Sequence, residues 1–165
     1  MPVEMTRPRG FAAIALDHPK TAVNVGQVLR AAGCFGVAVV VVSGRRYERA
    51  NTDTMRAYRH LPLLQVEDVM SVIPHDCVPV AVDLLPGATS LFNYVHPERA
   101  FYIFGAEDHT LGSRIAGRCR DTVYIPMAVG CLNLAMCVNV VLYDRACKQA
   151  YHTTAKEWLL NHIGP

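Results

Sequence analysis

The chain has 165 residues, of which 52% are hydrophobic and 18% are charged, and its formal net charge is +2. This composition excludes an intrinsically disordered chain, and the length fits one domain with a core of its own. No apolar run approaches the ~20 residues that a membrane span needs, and the N-terminus lacks the apolar segment of a signal peptide. We therefore expect a single domain over residues 1–165, soluble and cytoplasmic.

Strand and helix patterns alternate along the chain. Apolar, β-branched runs predict strands at Phe11 to Leu16, Val37 to Val42, Val78 to Leu84, Ala100 to Phe104 and Thr122 to Ile125. Helices are predicted at Val25 to Cys34, Asp53 to Tyr58, Val66 to Ile73, Leu111 to Arg118, Asn133 to Ala150 and Thr154 to His162. Continuous apolar strands between helices are typical of buried parallel sheets. The predicted fold class is α/β, with a mostly parallel sheet covered by helices on both faces.

The glycine pattern places the ligand site in the second half of the chain. An ordinary dinucleotide-binding fold needs a glycine-rich first turn, but ALDHPKTAVNVGQVLR contains only Gly26. Glycine and proline instead cluster late, at Gly105, Gly112, Pro126 and Gly130. Ligands of open α/β sheets bind at the carboxyl ends of the strands, so the loops after the last strands are predicted to form the pocket.

The cysteine pattern argues against a metal centre. The six cysteines are Cys34, Cys77, Cys119, Cys131, Cys137 and Cys147. They include no CxxC pair and no regular spacing, so neither a zinc site nor a disulfide framework is predicted. We expect free, buried thiols and no bound metal.

One segment concentrates positive charge. It contains Arg45, Arg46, Arg49, Arg56 and Arg59, with Tyr47, Tyr58 and His60 among them. A solvated polar face is one interpretation. The other is a phosphate-binding surface, because arginines among aromatic rings suit a polyanion with exposed bases.

Three segments, in order from Asn24 to Asp144, carry a family resemblance. They are NVGQVLRAAGCFG, FGAEDHTLGSRI and IPMAVGCLNLAMCVNVVLYD. Together they resemble the SpoU/TrmH branch of the SPOUT superfamily of RNA methyltransferases, in its minimal single-domain form without a separate RNA-binding domain. The resemblance implies an α/β fold with a C-terminal deep trefoil knot, a departure from the usual rule against threaded chains.

The resemblance also implies an activity. Members of this branch bind S-adenosyl-methionine in the knot and methylate RNA, commonly on a ribose 2′-oxygen, leaving S-adenosyl-homocysteine. They usually act as homodimers. For the single-domain kind the implied substrate is tRNA, at an anticodon-loop nucleotide. Open alternatives are a knotted RNA-binding protein with weak or no catalysis, ribosomal RNA as the substrate, or a base nitrogen as the methyl acceptor.

The same resemblance assigns catalytic residues. Arg30, Glu107 and Asn133 match the family's catalytic positions, and Asn24 joins the arginine-rich segment as a predicted RNA contact. A guanidinium is a poor proton acceptor, so Arg30 is expected to hold a phosphate and stabilise negative charge developing on the 2′-oxygen. Asn133 is expected either to orient Glu107 or Arg30, or simply to cap its helix.

Cofactor contacts follow from the second and third segments. The predicted set is Leu84, Gly105, Ile125, Met127, Cys131 and Leu132. Gly105 is expected to let the backbone approach the cofactor closely. The apolar members are expected to line the adenine pocket.

Some positions depart from the family pattern or stay ambiguous. Thr110 stands where glycine is usual, and a positive φ there would be costly for a β-branched residue. Cys131 replaces a serine and offers a weaker hydrogen-bond donor. His109 is of a residue type that can serve as a general base, but an exposed loop histidine is the alternative interpretation.

The last long helix has more apolar surface than one sheet face needs. Met136, Val140 and Tyr143 are the candidates for a dimer interface. The alternative is that they are buried within the monomer.

Overall fold

The computed structural model describes residues 10–44, 59–106 and 108–152, with the side chains of residues 150–152 left out. The strands are β1 (Phe11–Leu16), β2 (Val39–Ser43), β3 (Leu63–Val66), β4 (Val78–Val82), β5 (Thr89–Ser90), β6 (Arg99–Phe104) and β7 (Asp121–Tyr124). The helices are α1 (Ala22–Cys34), α2 (Gly112–Ala116) and α3 (Leu134–His152), with short 3-10 turns at Val69–Val72 and Leu91–Asn93.

The described strands form one seven-stranded sheet in the order β3-β2-β1-β6-β4-β7-β5. Every pairing is parallel, which confirms the predicted sheet type. β6 lies at the centre, and its residues Ala100 to Phe104 are almost completely buried. Parallel pairing brings the carboxyl ends of β1, β6, β4 and β7 to one edge of the sheet.

Alternating side chains from the strands feed two separate cores. Ile14 and Tyr102 belong to the core beneath α1 and α3, which pack against each other. Ala13 and Phe101 belong to the core beneath α2 and the 3-10 turn at Val69–Val72. The period of two along each strand therefore explains why both faces of the sheet carry helical cover.

The predicted strands all exist, β1 with the predicted bounds and the others with shifted ends, but two short strands were missed. β3 and β5 lie at the edges of the sheet, and the residues of β3 are at least partly exposed. The predicted helix from Val66 to Ile73 is wrong, because Val66 ends β3 and only Val69–Val72 forms a 3-10 turn. The predicted helices at 53–58 and 154–162 lie outside the described residues.

Asn133 caps the start of α3 and links it to α1. Its Oδ1 accepts the backbone N–H of Ala135 at 2.9 Å, as a helix N-cap does. Its Nδ2 donates to Oδ1 of Asn24 on α1 at 2.9 Å. Because the cap fixes the orientation of the Asn133 amide group, its Nδ2 is directed at Asn24. One side chain thus joins the starts of the two helices that cover the same sheet face.

A buried polar network holds the second half of α3 on the chain before β6. The His96 side chain is 1% exposed, and its Nε2 donates to Asp144 at 2.8 Å. Arg145 donates to the Tyr102 hydroxyl at 3.3 Å, and that hydroxyl in turn donates to Nδ1 of His96 at 2.6 Å. Burial lowers the pKa of His96 and raises the pKa of Tyr102 to about 12. The network therefore holds a neutral imidazole and a neutral phenol.

The six cysteines are free, as predicted, but only Cys77 is fully buried: Cys119, Cys137 and Cys147 are partly exposed, and Cys34 and Cys131 are exposed. Among residues 10–44, 59–106 and 108–152, no group of histidine, cysteine and carboxylate side chains is placed to hold a metal ion. Within the same residues, no helix has the length and apolarity to cross a membrane.

Replacing Asn133 with alanine removes both the cap and the bond to Asn24. We expect the free energy of unfolding to fall by about 1–3 kcal/mol, measured by urea denaturation. Asn93→Ala is the matched control, because Asn93 is likewise an exposed asparagine but lies on the 3-10 turn Leu91–Asn93 and not at the start of a long helix, and it should change stability by less than about 0.5 kcal/mol. Equal effects for the two variants would contradict the bridging role.

The buried imidazole of His96 predicts a pH dependence. Its folded-state pKa lies below the ordinary 6.5, so the stability it contributes is present above that value and is lost as pH falls through the folded pKa. We expect His96→Gln to flatten the fall in unfolding free energy below about pH 6.5. His109→Gln, at a side chain 68% exposed, should keep the wild-type slope.

Candidate functional site: three loops at the carboxyl edge of the sheet

Three connections leave the sheet side by side at its carboxyl edge. They follow β4 (from residue 83), β6 (from residue 105) and β7 (from residue 125), strands that the sheet order places as neighbours. The predicted cofactor contacts all lie on these loops. The fold therefore brings together segments that are far apart in sequence, as a composite pocket requires.

Asp83 joins two of these loops. Its Oδ1 accepts the N–H of Leu84 at 2.7 Å, and its Oδ2 accepts the N–H of Leu111 at 2.7 Å. Its own N–H donates to the carbonyl of Val123 at 2.9 Å. The carboxylate thus fixes the loop after β4 against the loop after β6, while its backbone is tied to β7. Sequence analysis missed Asp83, although an acidic residue directly after a buried strand was a usable signal.

The position of Gly105 favours glycine, because the loop that follows it folds back over its Cα. A Cβ at this position would lie 3.0 Å from the carbonyl oxygen of His109 and 3.3 Å from the nitrogen of Leu111. The close approach is therefore to the protein's own backbone. The strain considered at Thr110 does not occur, since the only described non-glycine residues with positive φ are His18 and Asp76. Gly112 adopts the positive φ in this loop.

Apolar side chains are exposed around the edge where the loops meet. Leu84 is 74% exposed, Met127 43% and Leu132 37%, whereas Ile125 packs partly against the core. Exposed apolar residues grouped on ligand-binding loops are suited to hold a flat, weakly polar ring system.

Two cysteines lie at the end of the loop after β7. Cys131 is exposed, and Cys137 is partly buried one turn into α3. Burial raises the pKa of Cys137 to about 11, and the neighbouring Cys131 adds to the rise. The Cys137 thiol therefore stays protonated near neutral pH. It donates to the carbonyl of Leu132 at 3.7 Å.

The predicted catalytic and RNA-binding residues are placed as follows. Arg30 is exposed on α1. Asn24 is 6% exposed and is engaged by Asn133, which favours a positioning role over direct contact with RNA. Asn133 caps α3, which confirms one of its two expected roles, and its amide nitrogen donates to Asn24.

Part of the predicted site lies outside the described residues. Glu107 is one such residue, and so are Arg45, Arg46, Arg49 and Arg56. Arg59 is described and is exposed. His109 is 68% exposed, and its Nδ1 lies 2.8 Å from a carboxylate oxygen of Asp108. This placement agrees with an exposed loop histidine.

Comparison with known proteins identifies the family. The model of the SpoU rRNA Methylase family matches residues 12–143. A curated relative, the 23S rRNA (guanosine-2′-O-)-methyltransferase RlmB of Acinetobacter baylyi, is 27% identical over 148 residues, which cover 82% of this chain and 59% of the relative.

Solved structures share the fold. The SpoU methyltransferase AviRb from Streptomyces viridochromogenes superposes with a TM-score of 0.77 at 21% identity, covering 86% of this chain and 61% of AviRb. It has also been solved with AdoMet, which is S-adenosyl-methionine. A structure described as giving insights into the 2-OH methylation of C/U34 on tRNA superposes with a TM-score of 0.75 at 21% identity, covering 87% of this chain and 99% of that one.

The chain spans about three fifths of the length of RlmB and AviRb, and nearly the whole length of the tRNA-related structure. The family match covers both helices that Asn133 joins, apart from the end of α3, and all three loops at the carboxyl edge. By this match the chain belongs to the SpoU rRNA Methylase family of RNA methyltransferases.

Proposed function

We propose that this chain is an S-adenosyl-methionine-dependent RNA 2′-O-ribose methyltransferase acting on tRNA. The observation that carries the proposal is the clamp at Asp83, which joins the loops after β4 and β6 beside exposed Leu84. Such a clamp builds a fixed ligand edge, and relatives that share this fold have been solved with AdoMet. The chain superposes on 99% of the structure concerned with C/U34 of tRNA. This match in length supports tRNA, and the anticodon loop, as the substrate.

The residues that hold the cofactor in this proposal come from all three loops. Leu84, Met127 and Leu132 contact the adenine ring, and Gly105 and Cys131 lie at the backbone that binds its polar atoms. The cofactor supplies an activated methyl group on a sulfonium centre. The protein contributes position, and good alignment of the reacting groups lowers a barrier by roughly 7–11 kcal/mol.

Arg30 has the central role at the RNA. Its exposed guanidinium is free to bind a phosphate beside the acceptor ribose and to stabilise negative charge on the 2′-oxygen. Asn133, held by its cap and by Asn24, fixes the angle of α1 relative to the loop after β7. The arginine-rich segment and Glu107 complete the proposed RNA-binding and catalytic sets.

The proposal includes a knotted, dimeric protein. The chain passes from β6 through α2 to β7, on the far side of β4, and then returns to pack α3 against α1. This crossing supports the trefoil knot that the family resemblance implies.

The apolar side chains exposed on α3 support a homodimer. Met136, Val140 and Tyr143 are 45%, 37% and 64% exposed, and a second copy of the chain would cover them.

Ribosomal RNA is the second candidate substrate, because the curated relative RlmB is a 23S rRNA enzyme. Possible backbone strain at Thr110 was one reason to consider a non-catalytic RNA binder. Since Thr110 does not adopt a positive φ, that reason no longer applies. Digestion of the methylated RNA to nucleosides, followed by mass analysis, separates ribose from base methylation.

Replacing Arg30 with alanine should abolish methyl transfer. We expect loss of at least about 100-fold in the rate of labelled methyl transfer from S-adenosyl-methionine into total tRNA, with cofactor affinity unchanged. Arg120→Ala is the control, because Arg120 is 62% exposed at the start of β7, on the opposite edge of the sheet. Loss of cofactor binding together with activity would make Arg30 structural. Methylation of ribosomal RNA with none of tRNA would correct the substrate.

Replacing Tyr143 with lysine should split the dimer. Sedimentation velocity is expected to show a dimer for the wild type and a monomer for Tyr143→Lys, because a buried charge at an apolar interface is costly. Leu64→Lys introduces the same charge at a 42% exposed apolar residue on the edge strand β3 and should remain dimeric. A monomeric wild type at micromolar concentration contradicts the interface.

A further inference from the structure

A second cleft lies at the carboxyl edge, away from the three loops already described. It has a volume of about 390 Å³ and is lined by His18, Gly44, Gln65, Val66 and Glu67. These residues follow or end β1, β2 and β3, on the other side of β1 from the cofactor loops. The size is that of a small-ligand site, and none of its lining residues has a role in the proposed transfer so far.

His18 is held in this cleft by an unusual backbone. Its φ is +53°, a left-handed conformation that costs a non-glycine residue free energy and is concentrated at functional sites. Gly44, at φ +83°, makes the space for the ring, since a Cβ there would lie 2.7 Å from Cδ2 of His18. Two special backbone positions thus serve to place one imidazole that remains 51% exposed.

The hydrogen bonds around His18 fix its orientation. Ser43 Oγ accepts the backbone N–H of His18 at 3.1 Å and donates to Oδ1 of Asp17 at 2.7 Å. The same Asp17 oxygen lies 3.0 Å from Nδ1 of His18. A carboxylate oxygen at this distance requires the proton on Nδ1, so Nε2 of the neutral ring is an acceptor. Asp17 thereby fixes the ring with its other nitrogen available.

The lining suits a nucleobase better than a phosphate. Among the described residues that line the cleft there is no lysine or arginine, and the Glu67 carboxylate disfavours an anion. Glu67 and the imidazole Nε2 are acceptors, Gln65 is both donor and acceptor, and Val66 adds apolar surface. Lining rich in acceptors matches a base edge rich in N–H donors, and guanine presents two such groups on its Watson–Crick edge.

One described cation, Arg114, lies near the cleft through its contact with Asp17, the neighbour of His18. Arg114 on α2 is 58% exposed, and its guanidinium lies 3.7 Å from the carboxylate of Asp17. A base in the cleft would therefore have positive charge available for its flanking phosphates.

We propose that the cleft lined by His18, Gly44, Gln65, Val66 and Glu67 binds an unpaired guanine of the substrate RNA, next to the nucleotide that is methylated. His18 and Glu67 are specificity-determining contacts at this site. The inference rests on the proposed function for its biological setting. Its chemistry rests on the cleft alone.

The direct test is nucleotide binding by the whole chain, followed by NMR. Millimolar GMP should shift the imidazole resonances of His18, assigned by comparison with His18→Gly, and UMP at the same concentration should not. Glycine accepts φ +53° without strain, so His18→Gly should fold and retain or gain thermal stability while losing GMP binding. Glu67→Gln should also weaken GMP binding. His75→Ala is the control, because His75 is 93% exposed and precedes β4 at the opposite edge.

Methyl transfer gives the second readout. In His18→Gly we expect KM for total tRNA to rise about tenfold, with kcat and S-adenosyl-methionine affinity little changed. Absence of any GMP-induced shift, or equal shifts with UMP, overturns the guanine site. An unchanged KM for tRNA in His18→Gly overturns its role in RNA recognition. A wild type that binds GMP but methylates no RNA refutes the proposed function and leaves the cleft assignment standing.

Discussion

Parallel pairing of the strands around β6 is the constraint on which the rest of the structure depends. Because every described pairing is parallel, all strand ends of one kind meet at one edge. The continuous burial from Ala100 to Phe104 makes this arrangement stable, since each face of the central strand is covered by its own core. Loops that are far apart in sequence can therefore lie side by side at this edge.

Two side-chain bridges turn this edge into a defined site. Asp83 ties the loop after β4 to the loop after β6, and Asn133 ties the start of α3 to α1. Asp83 accepts two backbone N–H groups, and Asn133 accepts one backbone N–H and donates to Asn24, so each bridge satisfies hydrogen-bonding groups within the protein. Both hold the loops before any ligand binds, which lowers the entropic cost of binding.

The sequence was most informative where a local pattern is typical of one structure, such as an apolar run or a family motif. The apolar run Phe11–Leu16 was predicted with its observed bounds, and the family motifs led to the correct family. β5 was invisible because Thr89–Ser90 is a strand only by pairing with Val123 and Tyr124. The Asp83 clamp likewise depends on Leu111, 28 residues away. His18 gave no signal either, since nothing in the local sequence marks a histidine for the positive φ that the fold imposes on it. Local patterns thus predicted the elements, and long-range partners decided the site.

Hydrogen exchange with and without S-adenosyl-methionine tests the central claim most directly, because it reports on each loop separately. The claim is that the loops after β4, β6 and β7 form one cofactor site joined by Asp83. The expected result is slower exchange in all three loops together, with the amides of Leu84 and Leu111 among those protected, and no change at β3. Protection confined to one loop, or none at all, would contradict it.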